Sequence, residues 1–254
     1  MGNFLSLLPV ADSNFHLLLA MVSVIAAYAL FTLVGFGSAL LASGPLALVM
    51  PVAKVVPMLA MLDFAGSSLR GLKARQDVSW PAFRQLFPGM LLGQLIGVAF
   101  LARLPAGVMA IVLGLFVVSQ GLRGFARKTA PSKAIRYPGF AYGIFGGILG
   151  GLFGSGGFVY ASYLERRLES RSAFRATQAV LIALSTGWRI ILCLSVGLLD
   201  IKLLVTALVF VPAMVLGIQL GHRIDLRMSR DQLFKLLNGL LTGSGLSLIA
   251  RFLL

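Results

Sequence analysis

The sequence predicts an all-α polytopic membrane protein made of two inverted repeats. Each repeat contributes a broken, re-entrant helical hairpin and three transmembrane helices, giving eight hydrophobic segments. Three observations carry this expectation. The 254 residues are 58% hydrophobic and only 12% charged, with a mean hydropathy of +0.94, too little charge to clothe a soluble domain of this length. Apolar runs of about 16 to 24 residues, long enough to cross a bilayer, alternate with short basic connections. The stretch Tyr142–Gly157, YGIFGGILGGLFGSGG, has eight glycines in sixteen residues, too many for an unbroken helix.

In chain order, residues 1–16 form a lead-in containing Asp12 and His16, without the basic start of a secretory signal peptide. Leu17–Val34 is apolar for a full span and runs into GFGSALLASGP (Gly35–Pro45) and a second apolar piece ending near Pro51. Val55–Leu69, Leu86–Leu101 and Gly107–Leu122 complete a first repeat over residues 17–122. The connector 123–138 is basic and is expected on the cytoplasmic side. The second repeat, residues 139–254, opens on the glycine-rich stretch and continues through Ala176–Leu199, Leu203–Gly221 and Leu233–Leu254.

The halves match at fixed spacings. Pro88, Gly93, Gly97, Arg103 and Gly121 recur as Pro212, Gly217, Gly221, Arg227 and Gly245, each 124 residues on. Gly35, Gly37 and Arg70 recur as Gly154, Gly156 and Arg189 at a spacing of 119. A run of matches at one offset points to internal duplication. Charge then orients the halves. Of 22 basic residues, 17 lie in the four connections 70–84, 123–136, 166–175 and 223–235. Simple alternation of eight spans would put two strongly basic connections on opposite sides, against the positive-inside rule. Hairpins that enter and leave on one side remove the conflict and make the halves inverted.

The net charge of +14 does not indicate nucleic acid, because the basic residues sit in clusters between apolar runs. One cysteine, Cys193, excludes an intrachain disulfide and a multi-cysteine metal site. The two histidines, His16 and His222, are far apart, and no P-loop is present. No cofactor, metal or catalytic set is expected, and the protein is not expected to be an enzyme.

The candidate site follows from the two breaks. A helix that restarts inside a membrane presents free N–H groups and the positive end of its dipole, which together bind small anions. The expected donors are Gly37, Ser38, Ser43 and Gly44 in the first half, with Pro45 starting the restarted helix. In the second half they are Ser155, Gly156 and Gly157. The same glycines also serve close helix packing, Gly143, Gly147 and Gly151 forming one smooth face. Asp63 and Arg189 are ionisable groups inside spans, where charge is a functional candidate by default. Asp63 either carries a coupling proton or pairs with Arg189; Arg189 either pairs or binds the anion through its planar fork. Lys54 and Arg70 read as interface residues, and Gln94, Gln178, Gln219 and Asn238 as interhelical hydrogen-bonding groups.

GILGGLFGSGG at Gly147–Gly157, the basic stretch up to Arg175-Ala176-Thr177 and the first-half GFGSALLASGP resemble the TauE/SafE family of sulfite and organosulfonate exporters and related permeases. The resemblance covers the chain from about residue 20 to its end. It implies a multi-pass transporter of the bacterial inner membrane, with a small sulfur-containing or organic anion as substrate and the lipid bilayer as surroundings. The expected mechanism is alternating access, with a proton or another ion as candidate coupling partner. A membrane-embedded enzyme or assembly subunit and a passive anion channel are the alternatives.

Overall fold

The computed structural model describes residues 14–34, 38–126 and 138–224, together with 238–239, 241–243, 245–247 and 249–250. Every element among them is a helix: α1 (Asn14–Val34), α2 (Ser38–Ala47), α3 (Val52–Lys73), α4 (Trp80–Arg103), α5 (Ala106–Ala126), α6 (Gly139–Phe153), α7 (Gly157–Arg167), α8 (Arg171–Ser195) and α9 (Ile201–Ile224), with a 3-10 turn at Arg75–Asp77. The described residues among 238–250 are helical as well and are called the final helix below. Among the described residues, four helices are long and apolar enough to cross a membrane, namely those containing Phe15–Thr32, Trp80–Arg103, Arg171–Ser195 and Ile201–Arg223. The 15 residues of α6 and 11 of α7 reach only about 22 Å and 16 Å at 1.5 Å per residue. Each is therefore too short to cross singly a hydrocarbon core of about 30 Å, which corrects the expectation that every apolar run is long enough.

The chain divides into two compact units, and each draws on both halves of the sequence. One contains α1, α2, the start of α3 to Met58, α5, α9 and the final helix. The other contains α3 from Leu59, α4, α6, α7 and α8.

In the second unit α4 and α6 run parallel with their backbones in contact. The reason is in the sequence: glycines at 89, 93 and 97 on α4 face glycines at 143, 147 and 151 on α6. A Cβ at Gly147 would stand 2.5 Å from the Met90 carbonyl and 2.9 Å from the Gly93 Cα. Without side chains between them the helices gain dispersion contact along their whole length, the attraction available inside a membrane. The first unit has the same crossing between α9 and α1. There a Cβ at Gly217 would lie 2.5 Å from the Ile25 carbonyl and 2.9 Å from Tyr28 Cβ. Gly93 faces the Ile144 carbonyl and Gly147, the residues 119 beyond Ile25 and Tyr28.

Helix boundaries keep the same spacing. Val34 and Phe153 end α1 and α6, Ser38 and Gly157 begin α2 and α7, and Val52 and Arg171 begin α3 and α8, all 119 apart. In the first unit α5 and the final helix run antiparallel and contact each other reciprocally. Gly121 meets the Asn238 carbonyl and Thr242, while Gly245, 124 residues on, meets the Gly114 carbonyl and Val118. Asn238 and Thr242 are themselves 124 beyond Gly114 and Val118.

Candidate functional site

The second helix break is built by its glycines. α6 ends on Gly154, whose φ of 74° is the left-handed conformation that costs other L-residues about 1–2 kcal/mol. Its N–H bonds the Gly150 carbonyl at 2.9 Å, and the Ser155 N–H bonds the Leu149 carbonyl at 3.3 Å. The Ser155 hydroxyl also donates to Leu149 O, at 3.2 Å. Both Ser155 donors therefore close the preceding helix instead of pointing to a ligand. The chain then turns through Gly156 into α7, where Gly156 and Gly157 head the helix and carry N–H groups without partners four residues back. α7 folds back antiparallel along α6: Gly150 lies beside Gly156, Gly146 beside the Tyr160 ring, and Gly139 beside Tyr163. The open end of this hairpin is fastened by Tyr163, which donates to Gln85, and by its ring contact with Tyr142 at 5.3 Å. Gln178 on α8 donates to the Gly157 carbonyl at 2.6 Å and fixes the start of α7.

Side chains from α4, α7 and α8 surround this break. The Gln94 amide donates to the Ser185 hydroxyl. Its Nε2 lies 3.4 Å from where a Gly150 Cβ would stand. The Tyr160 ring fills the space left by Gly146, and its hydroxyl lies 3.0 Å from a Cβ at Gly156. That hydroxyl sits beside Ser185 and within electrostatic reach of Arg189, without completing a hydrogen bond. Arg189 is 2% exposed, the largest fully buried side chain described, and also lies close to Cys193. The second break is thus a buried cluster of a guanidinium, a phenol, an amide and helix-end N–H groups. All but the amide oxygen can donate, which suits an anion.

Asp63 is 3% exposed on α3 in the same unit. α3 and α8 run antiparallel, with Phe64 against Gly187 and Gly71 against Val180. That register sets Asp63 and Arg189 at one level of neighbouring helices. Lys54 forms a 3.9 Å ion pair with Asp200 in the first unit, and Asp200 caps α9 by accepting from the Leu203 N–H at 2.7 Å. With side chains 40% and 50% exposed, the pair adds little stability.

The first break differs from its expectation. Gly37 lies outside the described residues. α2 begins at Ser38, so Pro45 lies inside the helix and does not start it. Ser43 and Gly44 consequently sit more than a turn inside α2, where N–H groups face carbonyls four residues back. Ser38 and Ser43 are buried, at 1% and 0% exposure, but only Ser38 stands at the helix start. The misreading arose because proline suits both a helix start and, with the loss of one hydrogen bond to Leu41, a short helix interior. Tyr160 and Ser185 escaped attention in the sequence as ordinary members of apolar runs. A signal was present: Ser185 lies four residues before Arg189, on one face of α8.

The family model described as sulfite exporter TauE/SafE matches residues 19–248. A probable inner membrane transporter protein, TsaS, from Comamonas testosteroni is 28% identical over 195 residues, covering 75% of this chain and 81% of that protein. A probable sulfite/organosulfonate exporter, TauE, from Cupriavidus necator is 27% identical over 226 residues, covering 86% and 88%. No solved structure matches the chain.

Proposed function

The chain belongs to the TauE/SafE family of membrane transporters, and on that premise we propose that it moves a small sulfur-containing or organic anion, such as sulfite, thiosulfate or a sulfonate, by alternating access. It is a transporter, not an enzyme, and a multi-pass protein of the bacterial inner membrane. The observation that carries the substrate class is Arg189, buried and within electrostatic reach of Tyr160, whose hydroxyl lies by Gly156 at the N-terminal end of α7. A cation held out of solvent near free helix N–H groups favours an anionic ligand. The relatives named for sulfite and organosulfonate export point the same way.

The halves are inverted repeats, each opening on a re-entrant hairpin. Three features support this: the shared helix boundaries at 119 residues, the matched crossings of α4 on α6 and α9 on α1, and the reciprocal contact of α5 with the final helix. Equivalent helices that pair antiparallel imply a two-fold axis perpendicular to them, which in a membrane lies in its plane. Short α6 and α7, folded back on each other, suit a hairpin that enters and leaves on one side. Gly156, Gly157 and Arg189 bind the anion, Ser155 shapes the break, and Ser38 begins the matching helix in the first half. Asp63, level with Arg189, is the coupling group.

Uptake of labelled sulfite, thiosulfate, a sulfonate and a carboxylate into proteoliposomes, with and without a proton gradient, tests this. Selective, saturable uptake of a sulfur oxyanion is expected, and gradient dependence that disappears in Asp63→Asn. Uptake of none of them contradicts the substrate class, and unchanged gradient dependence in Asp63→Asn removes Asp63 from coupling.

A further inference from the structure

We infer that the charged group of the substrate is held by the side chains around the second break alone, with the Tyr160 hydroxyl and the Gln94 amide as its partners within reach of Arg189. This rests on the transport function proposed above. Two buried atoms carry it. Tyr160 OH and Gln94 Oε1 are shielded from solvent, at residue exposures of 1% and 0%, and neither has a hydrogen-bond partner. Buried polar atoms left unsatisfied are costly and rare. Both belong to side chains at the same break: the Tyr160 hydroxyl lies by Gly156, and the Gln94 amide reaches Gly150 with its Nε2, on either side of the turn.

Their chemistry matches an oxyanion. The Tyr160 hydroxyl has its proton to give. Gln94 contacts Ser185 through its NH₂ group, but the two ends of an amide are interchangeable at such a partner. Turned about its last bond, the amide accepts from the Ser185 hydroxyl and places its NH₂ where the unpartnered oxygen stood. An anion then receives one hydrogen bond from Tyr160, one from Gln94 and a fork from Arg189, with the head of α7 behind. Three distinct donor groups suit three oxygens, as in sulfite or a sulfonate.

The repeat-related positions around the first break carry no such set. At the spacing of 119, Tyr160, Ser185 and Gly150 correspond to Leu41, Gly66 and Phe31. At 124, Gln94 corresponds to Ile218. Arg189 alone keeps its residue type, as Arg70. The first break thus shares helix boundaries with the second, but Leu41, Gly66 and Ile218 stand at the positions related to the polar Tyr160, Ser185 and Gln94, and Phe31 at the position related to Gly150. Recognition of the charged group is therefore asymmetric within a duplicated frame.

The test is equilibrium binding of labelled sulfite to the full-length protein in nanodiscs, with exchange in proteoliposomes beside it. Tyr160→Phe keeps the ring in the Gly146 space and removes only the donor, so it should weaken sulfite binding about ten-fold or more. Gln94→Glu replaces a donor by a negative charge and should lose binding at least as far. Ser38→Ala and Ser43→Ala, in the first hairpin, should stay within about two-fold of the parent. Wild-type affinity in both Tyr160→Phe and Gln94→Glu overturns the inference, as does a loss in Ser38→Ala or Ser43→Ala equal to theirs. A parent protein that neither binds nor exchanges any sulfur oxyanion is a different result, which overturns the transport function itself.

Discussion

Gly93→Ala and Gly217→Ala are each expected to destabilise the protein and to reduce flux severely. A methyl group on Gly93 collides with the Ile144 carbonyl and sits 3.0 Å from the Gly147 Cα; on Gly217 it meets the Ile25 carbonyl at 2.5 Å. These are backbone atoms of a neighbouring helix, so relief requires the helices to part. Overpacking of this kind costs about 1–3 kcal/mol per site. Parting α4 from α6 also carries Gln94 away from Gly150 and opens the break. The consequence for flux thus exceeds that for stability in Gly93→Ala. Gly239→Ala is the control, because nothing lies within 4 Å of a Cβ there. Thermal unfolding in detergent and initial uptake rates in proteoliposomes check the three together. A Gly93→Ala protein with parental unfolding temperature and flux contradicts the close crossing.

Arg189→Ala is expected to lower anion flux by roughly 100-fold, the combined worth of two charge-assisted hydrogen bonds of about 1.5 kcal/mol each. Arg189→Lys keeps the charge and loses the fork, so it should recover only part of that loss. Because Arg189 is 2% exposed and set at the level of Asp63, the alanine variant also leaves an acid without a cation at its level. Asp63→Asn combined with Arg189→Ala separates the two effects. Insertion restored without flux assigns Arg189 to the anion. Flux restored to the parental rate assigns it to a structural pair with Asp63. Uptake rates normalised to inserted protein make the measurement.

Much of the frame was legible in the residues. Glycines every four positions at Gly143, Gly147 and Gly151 announce a smooth helix face, and the matching Gly93 and Gly97 lie on the helix that packs there. Gly154 marks the end of α6 because a left-handed cap calls for glycine. The spacings of 119 and 124 anticipated which contacts recur. Which helices form those contacts was not legible, since α4 of the first half packs on α6 of the second, and local pattern carries no information about partners so distant in sequence. The first break was placed too late because Pro45 fits a helix start and a helix interior alike. In the site, charge made Arg189 and Asp63 visible. Tyr160 and Ser185 became visible only when folding back of α7 brought the phenol to Gly156 and α8 brought Ser185 to Gln94. The sequence also suggested donors at Ser155 that the structure spends on closing α6.

Counterflow tests the central claim most directly. Proteoliposomes loaded with unlabelled sulfite are diluted into trace labelled sulfite, and the label inside is followed in time. An alternating-access carrier predicts transient accumulation of label above the outside concentration, saturating with substrate, and its loss in Arg189→Ala. Label that only equilibrates at a rate linear in concentration, unaffected by the unlabelled pool, describes a channel and contradicts the account.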